Sequence, residues 1–210
     1  FMATGLLSGW KQPIGFFFLG MPHQPRFCLV SSSKVLKAAG FHVKGVVCDM
    51  GPCNQSLFRQ LGVHAESPFF FHQNEKYLVF FDPPHLLKCL RNNLEKHDFF
   101  VQGSVVSWKY IRQMFEEDSK KKISLRAAPK LTPAHVYLPP FSRMRVKRAA
   151  QIFSQSVYAA IMSYICVGKL PTEALPTTNF IKQIDSLFDI FNSNSLFDSK
   201  VYKQAIRDGS

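Results

Sequence analysis

Two short runs of β-branched and aromatic residues, VKGVVC at 43–48 and YLVFF at 77–81, are each followed at once by an aspartate, Asp49 and Asp82. Apolar runs of this length, bounded by turn formers, read as buried strands. Helix-like stretches closed by glycine lie before and between them: residues 29–39 ahead of Gly40, and Asn54–Leu61 ahead of Gly62. Upstream, PIGFFFL at 13–19 reads as a further strand. Alternation of strands and helices predicts an α/β fold with a largely parallel sheet covered by helices.

After residue 90 the pattern changes to helices and basic loops. SWKYIRQMFEED at 107–118 has a serine N-cap and apolar residues at helical spacing. The prolines of LRAAPKLTPAHVYLPP forbid a long helix there. From Ser142 to about Ile165, Val146, Ala149, Ala150, Phe153, Val157, Ala160, Ile161 and Tyr164 keep the spacing of one buried helical stripe. Its first turns carry Arg143, Arg145, Lys147 and Arg148, which oppose the helix dipole and call for an anion, unless they form a solvated face. A last helix, from near Thr178 to Asn192, turns Phe180, Ile181, Ile184, Leu187, Phe188 and Phe191 to a core. Another of its faces carries Lys182, Asp185, Asp189 and Asn192.

At 210 residues with 46% hydrophobic content, the chain can bury a sizeable core in one large domain or two small ones. Its formal charge of +12 favours a polyanionic partner, and residues 109–150 hold eleven Lys/Arg against three acids, +8 of that total. Five cysteines at irregular spacing, with no CxxC pair, fit a reducing compartment rather than a disulfide framework. The start FMATGLLSGW lacks the basic region of a signal peptide, and opening on Phe1 suggests a fragment. AAQIFSQSVYAAIMSYICV is too polar for a membrane span and reads as a buried helix, so no membrane partner is expected.

In an open parallel sheet, ligands and metals collect at the carboxyl ends of the strands. If the strands ending at Asp49 and Asp82 are neighbours, their carboxylates can share a divalent cation, as metal-dependent phosphoryl transfer requires. The alternative for Asp82 is an N-cap on the helix opened by Pro83. His85 with Cys89 is half a zinc site lacking a second pair, and GKLPT at 168–172 lacks the rest of a phosphate-cradling loop.

Across most of its length the chain resembles the P-element family of DNA transposases, whose vertebrate relatives carry an N-terminal THAP zinc finger. The matching runs are WKQPIGFFF (10–18), VKGVVCDMGPCNQSLFRQLGV (43–63), FFDPPHLLKCLRNNL (80–94), VSWKYI (106–111), LRAAPKLTPAHVYLPPFSRMRVKRAAQIFSQSV (125–157) and TTNFIKQIDSLFDIFNS (177–193), in the family's order. The resemblance implies a partial RNase H-like catalytic core over residues 1–88. A mostly helical GTP-binding insertion domain follows over 89–210. It implies that Asp49 is the second of the family's three catalytic acids, two Asp and one Glu that bind Mg²⁺. The first Asp and the Glu match nothing in this chain. Asp82 and His85 match a D-x-x-H motif with a structural or supporting role. Phe188, Asp189 and Asn192 match residues that hold guanine, and Lys130, Arg145 and Val146 match positions lining the same nucleotide pocket. A carboxylate can accept both the N1–H and N2–H of guanine, which adenine does not offer.

The leading expectation is a fragment or relic of a cut-and-paste transposase, nuclear, with DNA, GTP and further copies of the chain as partners, and GTP as a structural cofactor. With one of the three acids, the chain alone is not expected to transpose DNA. The alternative is a host-adopted, non-catalytic nuclear remnant that binds DNA or GTP. A third reading, an unrelated metal-dependent α/β hydrolase, would gain if GTP failed to bind while Asp49→Ala abolished turnover of a small molecule.

Overall fold

The computed structural model describes residues 1–6, 9–15, 25–193, 197, 198 and 200–204, with the backbone alone at 25–28 and 201. The chain divides into two compact units, Phe1–Asp82 and Pro83–Ser210.

In the first unit, β1 (Met2–Thr4) pairs antiparallel with β2 (Lys11–Pro13). Of the strand expected at 13–19, Pro13 ends β2, residues 14 and 15 lie in no strand, and 16–19 lie outside the described residues. Helix α1 (Pro25–Ala38) ends as Gly40 takes φ +83°: its N–H bonds Lys37 O, and the Phe41 N–H bonds Leu36 O. That left-handed turn is where glycine carries no side-chain penalty. Strand β3 (Gly45–Cys48) leads into α2 (Pro52–Gln60), which stops at Gly62, φ +75°. Strands β4 (Phe69–His72) and β5 (Glu75–Phe81) then form a hairpin.

The resulting mixed sheet has the order β3-β5-β4, with β3 parallel to β5 and β4 antiparallel to it. The β4–β5 turn, Gln73-Asn74, has φ of 51° and 62° at its two central residues, the twist that matches flanking strands. Helices α1 and α2 cover one face, where Leu29, Leu57, Phe58, Phe70, Tyr77 and Val79 form the core. Phe70 stacks on Tyr77 with ring centroids 5.1 Å apart.

The expectation that YLVFF is wholly buried is corrected here. Tyr77 and Val79 are buried, whereas Leu78 and Phe80 point to the opposite face and are exposed, as are Val47 and Phe71. Strand side chains alternate, and both helices among the described residues pack on the same face.

The second unit is mostly helical. Helix α3 (Pro83–Lys96) is followed by a small hairpin, β6 (Phe99–Val101) with β7 (Ser104–Val106). Helix α4 (Trp108–Ser119) starts at the expected cap, the Ser107 side chain accepting from the Lys109 N–H. After a basic loop come the short α5 (Pro133–Val136), a 3₁₀ turn at Pro140–Met144, α6 (Val146–Ile152), α7 (Gln155–Cys166) and α8 (Leu175–Phe191). One core joins them, centred on Ile111, Met114, Ile152, Phe153, Ile161 and Ile181.

The single helix expected over 142–165 is instead two. Phe153 leaves the helical region at ψ 70°, and Ser154, extended at φ −135°, caps α7 by accepting from the Val157 N–H. The apolar stripe runs through the break because Phe153 stays buried. At the other end, Arg143 and Arg145 precede α6 rather than opening it. In α8, Leu187 and Phe191 do not reach the core and are 48% and 50% exposed. Asp189, read as part of a polar face, is 8% exposed because the 3₁₀ turn at Val201–Lys203 lies on that side of the helix.

Candidate nucleotide-binding site

Asp49 follows the last residue of β3, and Asp82 the last of β5. The parallel register pairs Cys48 with Phe81, and the Asp82 N–H donates to Cys48 O at 2.7 Å. The two acids therefore stand at adjacent strand ends, as the sequence predicts. Asp49 is held locally: its Oδ1 accepts from the Gly51 N–H at 2.9 Å and from Asn54 Nδ2 at 2.8 Å. A Cβ on Gly51 would sit 3.0 Å from that same Oδ1, so glycine keeps the approach open. Asp-x-Gly is a turn signature in the sequence, and Asn54 lies on the first turn of α2, facing back to the strand end.

Hard divalent cations take several oxygen ligands. Among the described residues no group of three or more His, Cys, Asp or Glu could hold a metal ion, so the chain's described residues do not build a complete Mg²⁺ site. His85 lies on the first turn of α3, with Lys88 Nζ 3.2 Å from its Nδ1.

In the helical unit, a cavity of about 250 Å³ is lined by Lys130, Leu131, Lys147, Gln151, Ser154 and Ser156, among others. Lys130 is the one residue of the six expected at the nucleotide that lines this cavity. Arg145 caps the N-terminus of α6, and Val146 is its first residue; Lys147, Ala150 and Gln151 of that helix form one cavity wall. The α8 residues are not in the cavity wall. Asp185, half-buried one turn before Asp189, accepts from the N–H of Gln155, beside the cavity residues Ser154 and Ser156. Burial pushes its carboxyl up, against the pull of Lys200, with Asp189 adding to the rise. A second cavity, about 310 Å³ between Lys96, Trp108, Lys109 and Arg112, contains none of the predicted site residues.

Phe188 is half-buried and packs against the core. Asn192 ends α8, its Nδ2 donating to Phe188 O at 2.9 Å. The Asp189 carboxylate is engaged: Lys200 Nζ reaches Oδ2 at 2.6 Å, and Lys203 Nζ lies 3.8 Å from Oδ1. The hydrogen bond that Lys200 donates to Asp189 holds the Lys200 ammonium pKa above its ordinary value. The Lys200 ammonium therefore occupies one edge of this carboxylate.

Two buried charges escaped the sequence reading. Asp118 is fully buried and accepts from the N–H groups of Ala127 and Ala128, from Tyr164 Oη at 2.9 Å and from Arg126 Nε at 3.2 Å. It fastens the loop that follows Lys120, Lys121 and Lys122, ahead of Lys130. Arg91 is also fully buried, on the inner face of α3 between Leu87 and Leu94. Both occupy apolar-stripe positions, 87/91/94 and 111/114/115/118, and a charge at such a position is the signal that marks them.

Two family models match parts of the chain. The family described as TNP-like, GTP-binding insertion domain matches residues 84–205, and the TNP-like, RNase H N-terminal domain matches residues 1–62. The Transposable element P transposase of Drosophila melanogaster is 30% identical over 195 residues, covering 91% of this chain and 25% of that protein. The human DNA transposase THAP9 is 26% identical, covering 93% of this chain and 22% of its own length. The chain thus spans about a quarter of the length of these relatives. The Drosophila P element transposase strand transfer complex superposes with a TM-score of 0.85 at 28% identity, over 96% of this chain and 46% of the solved one.

Proposed function

Because the chain belongs to the TNP-like family of P-element-type transposases, with RNase H-like and GTP-binding insertion regions, we propose that it binds GTP through its helical unit as part of a DNA transposase. The observation that carries this reading is the nearly buried Asp189 carboxylate on α8, within a region that matches the GTP-binding insertion domain. Asp189 would accept from the guanine N1–H and N2–H in exchange for Lys200. Phe188 and Asn192 would flank the base, and Lys130, Arg145 and Val146 would line the rest of the nucleotide pocket. We extend the reading to a wider role, supported by the likeness to the relatives: DNA as partner, a nuclear location, and cut-and-paste activity of a longer protein to which Asp49 contributes one catalytic carboxylate. GTP would serve as a structural cofactor. We also propose self-association, as a transposase working on two DNA ends requires.

Titration of the chain with GTP and ATP tests the base reading. GTP should bind more tightly, Asp189→Ala should erase the preference, and Lys200→Ala should tighten GTP binding about threefold by removing the internal competitor. Equal affinity of the wild-type chain for GTP and ATP would sink the assignment. A second reading is a non-catalytic DNA- and GTP-binding protein. Strand transfer by a longer protein and its loss in Asp49→Ala would decide against that reading.

A further inference from the structure

We propose that Arg91 is a positioning residue of the nucleotide site, fixing the backbone turn that presents Arg145 and Val146. The inference rests on the GTP reading above. Arg91 sits on α3 with no exposed surface. Its guanidinium donates to Arg143 O at 2.7 Å, to Ser142 O and Arg145 O at 3.4 Å each, and to Asn92 Oδ1 at 2.8 and 3.1 Å. Asn92 adds its own bond, Nδ2 to Arg143 O at 3.3 Å, and Glu95 pairs with Arg143 at 3.0 Å. Three neighbouring residues of α3 thus grip the segment 142–145, while Ser142 Oγ donates to Ala134 O behind it.

The chemistry of this grip argues for more than packing. Apolar side chains of similar volume stabilise a buried position at least as well as a charge does. Arg91 keeps its charge although its hydrogen-bond partners are neutral oxygens, and although burial first, then Arg143 and Arg148, depress its pKa. Its fork of donors does what a hydrocarbon cannot, converging on carbonyls of one tight turn. The turn ends where α6 begins: Arg145 caps that helix with its side chain in solvent, and Lys147 lines the cavity two residues later. The positive charge behind the turn also complements an anion in front of it. Phosphate oxygens of the nucleotide, rather than its base, are what this arrangement serves.

The test compares GTP with guanosine, the same base without phosphates, by calorimetric titration of the 210-residue chain. Arg91→Lys keeps the charge but loses the fork. It should weaken GTP about tenfold, the scale of coupling between contacting groups, leave guanosine unchanged and preserve the preference for GTP over ATP. On an Arg145→Ala background the same change should add nothing. Asn92→Ala, at a half-buried position, should show the same split at about threefold. It decides the matter if Arg91→Lys does not fold. Equal losses for GTP and guanosine, or an unchanged GTP affinity, would overturn the positioning role. A wild-type chain that does not prefer GTP would instead overturn the base reading on which it rests.

Discussion

Asp118 shows what a single side chain does in this molecule. Burial alone raises its carboxyl pKa, but the donors from Ala127, Ala128, Tyr164 and Arg126 outweigh that and hold it below the ordinary carboxylate value. A carboxyl depressed in the folded state contributes stability above its unfolded pKa, and that contribution is lost as pH falls through the folded one. Thermal melts should therefore show wild-type stability dropping below about pH 4, the unfolded value of aspartate, with a flatter profile in Asp118→Asn. At neutral pH the same substitution should cost about 3 kcal/mol, because it leaves Arg126 and two loop N–H groups with a poorer acceptor. A denaturant midpoint unchanged from wild type would contradict this. Arg91 and Asp118 illustrate one rule: where the apolar stripe of a helix carries a charge, the charge fastens another segment's backbone.

At the scale of elements, the break between α6 and α7 depends on one serine. Ser154→Ala should lower stability by about 1 kcal/mol, as loss of an N-cap does, and the loss should appear as faster amide exchange in the first turn of α7. Much of the architecture was readable beforehand. The strands ending at Cys48 and Phe81, the glycine stops at 40 and 62 and the Ser107 cap each carry a local signal strong enough to survive packing. The hairpin of β4 was not readable, because its Gln73-Asn74 turn lacks the glycine that usually marks one. Nor was the α6–α7 break, since the stripe stays in phase through the buried Phe153. Of the candidate site, the position of Asp49 was legible from its place after β3. Its Asn54 partner and the Lys200 partner of Asp189 were not, because such contacts are set by tertiary geometry rather than by spacing.

The whole molecule carries its charge unevenly, and this governs how it meets a polyanion. Of the +12 total, +8 lies within residues 109–150 of the helical unit. Binding to duplex DNA of unrelated sequence should weaken steeply with salt, the logarithm of the affinity falling about 0.9 for each phosphate neutralised per decade of concentration. Filter binding or fluorescence anisotropy between about 50 and 200 mM salt measures the slope. A flat response would contradict an electrostatic contact. No helix among the described residues is long and apolar enough to cross a membrane.

The side of the β3-β5-β4 sheet that no described helix covers answers to salt in the reverse sense. Val47, Phe71, Leu78 and Phe80 give it a hydrocarbon surface, and excluded ions such as sulfate strengthen the drive to cover such a surface. On a purification column the two units would pull against each other. Dilute buffer should leave the basic half bound to nucleic acid carried through from lysis, while concentrated sulfate should drive the sheet onto a phenyl resin or onto its own kind. The window of ionic strength in which the chain stays dispersed is bounded from both sides, and a charged residue at Phe80 would widen it from above.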